Sequence, residues 1–311
     1  MKIRCLVALV LASSFFALAQ DDAITLDDLL RDGAQWLQEN IDPEVLRSLS
    51  DVDQEKVQKL FRELQQRFQG EYVIDLAPFK QAATAVLPLL EDHEETQPYA
   101  AWLKARLDYF EVADQLRLLI PPPKVVPGQP PKPAPNPGPD LERKVWRKHV
   151  EVLPVPSGAA AYVSRLKPIF AAQKVPTELV WLAEVESSFG PAARSPMGAA
   201  GLFQIMPQTA KAYGLALRPT DERLQPAKSA AAAARYLKYL HGQFNDWPLA
   251  LAAYNAGEQR VRNLLERHKA RTYDQIATHL PAETQMYVPK IEATLRHREG
   301  IALSELPPPR S

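Results

Sequence analysis

Residues 177–214 read TELVWLAEVESSFGPAARSPMGAAGLFQIMPQTAKAYG. Pro176 and Thr177 mark a helix start, with Thr177 as N-cap and Glu178 in the first turn. Leu179, Leu182, Ala183, Glu186 and Phe189 then recur at helical spacing, and Gly190-Pro191 ends the run. One member of that apolar stripe is a carboxylate. Glu184 lies two positions away, about 200° round the helix, and points elsewhere. A carboxyl in low dielectric resists ionisation and holds a proton it can give to a leaving oxygen. The plainer alternative is a Glu at the edge of the stripe, satisfied by a backbone N–H.

Working outward, the 311 residues allow one or two domains. The net charge is zero, yet the halves differ. Residues 21–119 carry 21 acidic and 10 basic side chains, and residues 120–311 carry 16 and 25. The basic half favours an anionic polymer, or equally forms a plain solvated surface. MKIR followed by LVALVLASSFFA and Ala17-Leu18-Ala19 reads as an export signal over 1–19. No membrane span is expected after its cleavage. The single cysteine, Cys5, falls inside this signal, so a mature chain has no thiol nucleophile, disulfide or Cys-metal site.

Residues 20–119 read as an α-helical accessory region with no catalytic or metal-ligand spacing. Its expected role is packing or docking, with an envelope protein as a further partner. Tyr99 to Leu119 reads as one amphipathic helix. IPPPKVVPGQPPKPAPNPGP, 120–139, favours extended polyproline II, as a linker or a surface loop. A connector follows at 140–156, then the main domain at 157–300 and a tail at 301–311. Pro226 to Phe244 is a helix whose Ala230–Ala234 run permits close packing. Trp247-Pro248 opens another, ending at Asn255-Ala256-Gly257. Gly198-Ala-Ala-Gly201 is not a phosphate loop, and the six histidines show no zinc spacing. Removing residues 20–139 is expected to leave a folded domain.

Glu186-Ser187, Ser195, Gly198-Ala199, Gly201, Gln204-Ile205-Met206-Pro207 and Thr209-Ala210 together resemble the lytic transglycosylases of the goose-type-lysozyme-like group. Ala253-Tyr254-Asn255-Ala256-Gly257 and Gln285-Met286-Tyr287-Val288-Pro289-Lys290-Ile291 extend the resemblance. It covers a little under half the chain, from about 157 to 298. It implies a mainly α, lysozyme-like domain with a small β element. It implies Glu186 as a single acid/base cutting the MurNAc–GlcNAc bond of peptidoglycan and closing a 1,6-anhydro ring. Tyr254 and Asn255 would line the sugar cleft, and Gln204 and Asn255 would bind N-acetyl or hydroxyl groups. Ser187 would orient the substrate or the loop, and Ser195 belongs to the same binding motif. Tyr287 would face the acid; alone it reads as a core tyrosine. The matched motifs hold no second carboxylate, since Glu222 and Glu258 lie elsewhere. The resemblance implies no metal, cofactor or nucleic acid, and a place in the periplasm or cell envelope. A hydrolase using water and a non-catalytic wall-binding protein are the alternatives.

Overall fold

The computed structural model describes residues 64, 67–92, 94, 96–121 and 134–310. The expected export signal, the first part of the helical region and most of the Pro-rich stretch lie outside the described residues. Residues from Leu64 onward form one compact unit. The structure is 67% helical, and no sheet occurs among the described residues. The small β element consists of two bridges, Arg194 to Ala200 and Ala200 to Ile205.

The elements before the Pro-rich stretch are α1 (Phe79–Glu91), α2 (Gln97–Lys104) and α3 (Leu107–Leu119). The expected single helix from Tyr99 to Leu119 is therefore two. It breaks at Ala105-Arg106, where no proline or glycine stands. A tertiary contact of Arg106, described below, accompanies the break. Phe68, Tyr109 and Phe110 pack ring against ring, and Tyr109 meets Trp146 edge to face at 5.3 Å. Trp146 belongs to α4 (Pro139–Glu151), so the expected connector is largely a helix. Pro139 opens it where its missing N–H costs nothing.

Asn136, inside the Pro-rich stretch, fastens both sides. Its Oδ1 accepts from Val73 N–H at 3.0 Å. Its Nδ2 donates to the carbonyls of Glu71 and Thr278 at 2.7 and 3.1 Å.

Next come α5 (Ala159–Ala172), a 3-10 turn at Thr177–Trp181, α6 (Leu182–Ser187) and α7 (Pro207–Ala212). The helix expected from Thr177 to Gly190 is shorter and in two parts. Thr177 makes no side-chain cap; Pro176 precedes the turn. Ser188 and Phe189 both take positive φ, 49° and 60°, which ends α6 three residues before Gly190. Every residue of α6 is buried, so it carries no solvent face at all.

The helix α8 (Pro226–Phe244) runs where the sequence places it, and Ala230 and Ala232–Ala234 are buried against α5 and α9 (Trp247–Ala256). Asp246 caps α9 by accepting from Leu249 N–H at 2.8 Å. Beyond α10 (Glu258–His268) and α11 (Tyr273–Ile276) lies α12 (Ala282–Glu299), buried along most of its length. It packs on α4, α6 and α9, which makes it the central post of the unit.

The loop between α6 and α7 is tied down by Arg223. Its guanidinium donates to the carbonyls of Gly198 and Ile205 and is held by Asp221. Gly201 has φ +81° there, and a Cβ at that position meets the Arg223 carbonyl oxygen at 2.0 Å. Gly201→Ala is expected to destabilise the protein by about 2 to 5 kcal/mol, combining backbone strain with overpacking. A denaturant unfolding curve checks this as a lowered midpoint.

Candidate active site

The central position belongs to Glu186, whose residue is 4% exposed. The Tyr287 hydroxyl donates to its Oε1 at 2.6 Å. That hydroxyl comes from α12, which presents Glu283, Tyr287 and Lys290 at i, i+4 and i+7 toward α6 and α3. Burial pushes the Glu186 carboxyl up to about 7. The Arg106 guanidinium and the Tyr287 bond pull against burial, Glu283 adds a further push, and Lys290 opposes it weakly. The group therefore holds a proton for much of its time near neutral pH and is also able to lose it. Those are the properties of a combined acid and base.

Two other carboxylates stand near this helix, and each is claimed by an arginine. Glu184 takes both a 3.1 and a 2.8 Å bond from Arg298, which is itself held by the carbonyls of Leu153 and Pro154. It does point away from Glu186, as its offset round the helix requires. Glu283 accepts from Arg106 Nε and Nη2 at 3.2 and 3.0 Å. Paired in this way, both have their lone pairs engaged by a strong partner.

The remaining expected site residues divide. Tyr254 sits close enough for the charge on Glu186 to act on its hydroxyl, which burial pushes well above its ordinary value; that hydroxyl donates to the Phe203 carbonyl at 2.8 Å. Asn255 Oδ1 accepts from Thr284 Oγ1 at 2.6 Å, which fixes the amide to α12. Gln204, at φ +44°, donates from Nε2 to the carbonyls of Ala193 and Gly201 at 3.2 and 2.9 Å, while its buried Oε1 has no partner in the protein. Ser187 Oγ turns inward to the carbonyls of Leu202 and Ala183, at 2.9 and 3.2 Å. Ser195 Oγ accepts from Ala199 N–H at 3.0 Å and closes the small β turn. Both serines thus hold the loop together in this structure. Only Tyr287, of the expected set, has a hydrogen bond to the acid.

Sequence reading missed Arg106, Glu283 and Thr284. Glu283 had a signal: it precedes Tyr287 by four residues and so shares its helix face. Arg106 had none, because its partners lie 80 and 177 residues away. No group of three or more His, Cys, Asp or Glu able to hold a metal occurs among the described residues.

A buried, proton-holding glutamate thus sits on a short helix walled by longer helices. Residues 170–277 match the family model described as Transglycosylase SLT domain. Membrane-bound lytic murein transglycosylase D of Escherichia coli (strain K12) is 43% identical over 125 residues, 39% of this chain and 28% of that protein. The soluble lytic murein transglycosylase of Salmonella typhimurium is 37% identical over 131 residues, 38% of this chain and 20% of that one. The chain thus spans less than a third of the length of these two relatives. The crystal structure of the 70 kDa soluble lytic transglycosylase of Escherichia coli superposes with a TM-score of 0.43 at 20% identity, covering 91% of this chain and 46% of that chain.

Proposed function

We propose that this protein is a peptidoglycan lytic transglycosylase in which Glu186 works alone. The observation that carries the reading is the charge pattern round α6. The buried Glu186 carboxyl accepts from a neutral hydroxyl, while Glu184 and Glu283 are each neutralised by an arginine. Most glycosidases place a second free carboxylate beside the acid, as nucleophile or as base for water. Neither neighbour here is free for that work. The SLT domain match and the relatives' names support the same class of reaction.

In this reading Glu186 gives its proton to the oxygen bridging C1 of N-acetylmuramic acid and C4 of N-acetylglucosamine. The C1–O bond breaks and the oxygen leaves as a hydroxyl. The sugar's own N-acetyl oxygen stabilises the cationic C1. The C6 hydroxyl of the same sugar then bonds to C1, and the Glu186 carboxylate takes its proton. The acid is restored, the product is a 1,6-anhydro sugar, and no water is consumed. Gln204 and Asn255 bind substrate amide or hydroxyl groups, with the unpartnered Gln204 Oε1 as one acceptor. Tyr254 lines the cleft. Ser187 and Ser195 serve through the loop they brace.

The substrate places the protein in the periplasm or cell envelope, which agrees with the signal pattern at 1–19. No helix among the described residues is long and apolar enough to cross a membrane. An envelope partner at the N-terminal region remains part of this proposal. Mass spectrometry of products from purified peptidoglycan tests the reaction. Anhydro products are expected. Products heavier by one water mean hydrolysis, and no release means a binding protein.

A further inference from the structure

Arg106 stands between α2 and α3, outside the matched segment 170–277. It is 6% exposed, with its guanidinium 4.5 Å above the Trp102 ring. Nη1 donates to the backbone carbonyl of Glu186 at 3.3 Å. Nε and Nη2 both reach Oε1 of Glu283. One side chain thus bridges the helix that carries the acid and the helix that carries Tyr287. A neighbouring tie repeats the direction: Lys290 of α12 donates to the Ala105 carbonyl at 3.0 Å and pairs with Asp108 at 2.7 Å.

From these contacts we infer that Arg106 is a positioning residue for the reaction: with Glu283 as counter-ion, it holds α6 against α12 and supplies the charge that balances the acid. This rests on the reading of Glu186 as the reacting group. The region before the Pro-rich stretch is then a working part of the active site and not only an accessory to it.

The groups facing Glu186 come from three elements. Arg106, at the N-cap of α3, and Tyr109 in its first turn are on one side, Tyr254 comes from α9, and Glu283, Tyr287 and Lys290 come from α12. The tyrosines stay neutral across the working range, because burial pushes all three hydroxyls well above their ordinary value. Lys290 is occupied by Asp108 and opposes the rise at Glu186 only weakly. Arg106 and Glu283 remain as the two charges that act on the acid, in opposite directions. A cation beside a carboxyl favours its ionised form, and an anion favours its protonated form.

The experiment compares Arg106→Gln, Arg106→Lys and Glu283→Gln with the wild type. Two readouts are taken: the pH profile of product release from purified peptidoglycan, and the titration of the Glu186 carboxyl carbon by 13C NMR. Protonated Glu186 is needed to start the reaction, so activity falls as pH rises through its pKa. Arg106→Gln is expected to move the titration and the alkaline limb upward by about one pH unit. Glu283→Gln, which leaves Arg106 without its anion, is expected to move both downward. Arg106→Lys keeps the charge but loses the forked bridge; the limb stays in place while kcat drops. Folded variants with unmoved titrations, or shifts of the same sign in both glutamine variants, overturn the inference. If Arg106→Gln does not fold, Glu283→Gln decides alone: a missing downward shift overturns it. Opposite shifts by NMR in a protein that releases no product support the inference and reject the transglycosylase reading instead.

Discussion

Glu186→Gln is expected to leave a folded protein that releases no anhydro-muropeptides, with the rate lowered by at least about a thousandfold. The amide cannot donate an acidic proton or accept one back, so both halves of the proposed cycle stop. General acid–base groups contribute about 10²–10⁴ each in rate, and here one group serves twice. The fold should survive for a local reason. The Gln Oε1 still accepts from the Tyr287 hydroxyl, now 2.6 Å from the carboxylate oxygen. The change also removes a buried ionisable group whose charged form burial disfavours. Digestion of purified peptidoglycan, beside a thermal unfolding curve, checks both parts. A variant that retains a tenth of the wild-type rate would show that another group carries the proton.

Deletion of residues 20–139 is expected to yield an insoluble or unfolded protein, the reverse of what composition alone predicts. The deletion removes Arg106 and Asp108. It leaves Glu283 and Lys290, 3% and 4% exposed in the intact protein, without their ion-pair partners. Breaking a buried pair from one side costs about 3–5 kcal/mol. It also strips away Tyr109, Phe110, Val112 and Leu116 of α3, all at 2% exposure or less. A whole domain is stable by only about 5–15 kcal/mol, so two such losses plus an exposed apolar face are enough to unfold it. Expression of residues 140–311 with a circular dichroism melt is the check. A soluble fragment with a cooperative melt would mean that α12 and α4 close over the missing face.

Sequence reading succeeded where contacts are local. The boundaries of α8 follow from Pro226 at its first turn and Asn245 at φ +51° beyond its end. The opening of α9 follows from Asp246 and Pro248. Glu186 stood out as a carboxylate on an apolar stripe, which alone left the plainer structural reading open, and the resemblance to a family singled it out as the acid. What escaped depends on distant partners. The end of α6 is set by left-handed Ser188 and Phe189, for which neither residue type is a usual signal. The break at Arg106 accompanies its bridge to α6 and α12 and has no local breaker. Ser187 read as orienting either the substrate or the loop, and its hydroxyl donates to the Leu202 carbonyl across the loop, a partner the spacing does not reveal. The proline density of 120–139 left linker and surface loop equally open, and the bonds of Asn136 to residues on both sides depend on partners far along the chain.

The separations along the chain carry a kinetic consequence. Glu186 and Tyr287 are 101 residues apart, Arg106 and Glu283 are 177, and Lys290 and Ala105 are 185. Contacts of such reach must close large loops before they return any stabilisation, so they form late in folding. On the proposed reading, a fragment cut short before residue 282 carries Glu186 without the Tyr287 hydroxyl and without Glu283, and so without the setting its chemistry needs.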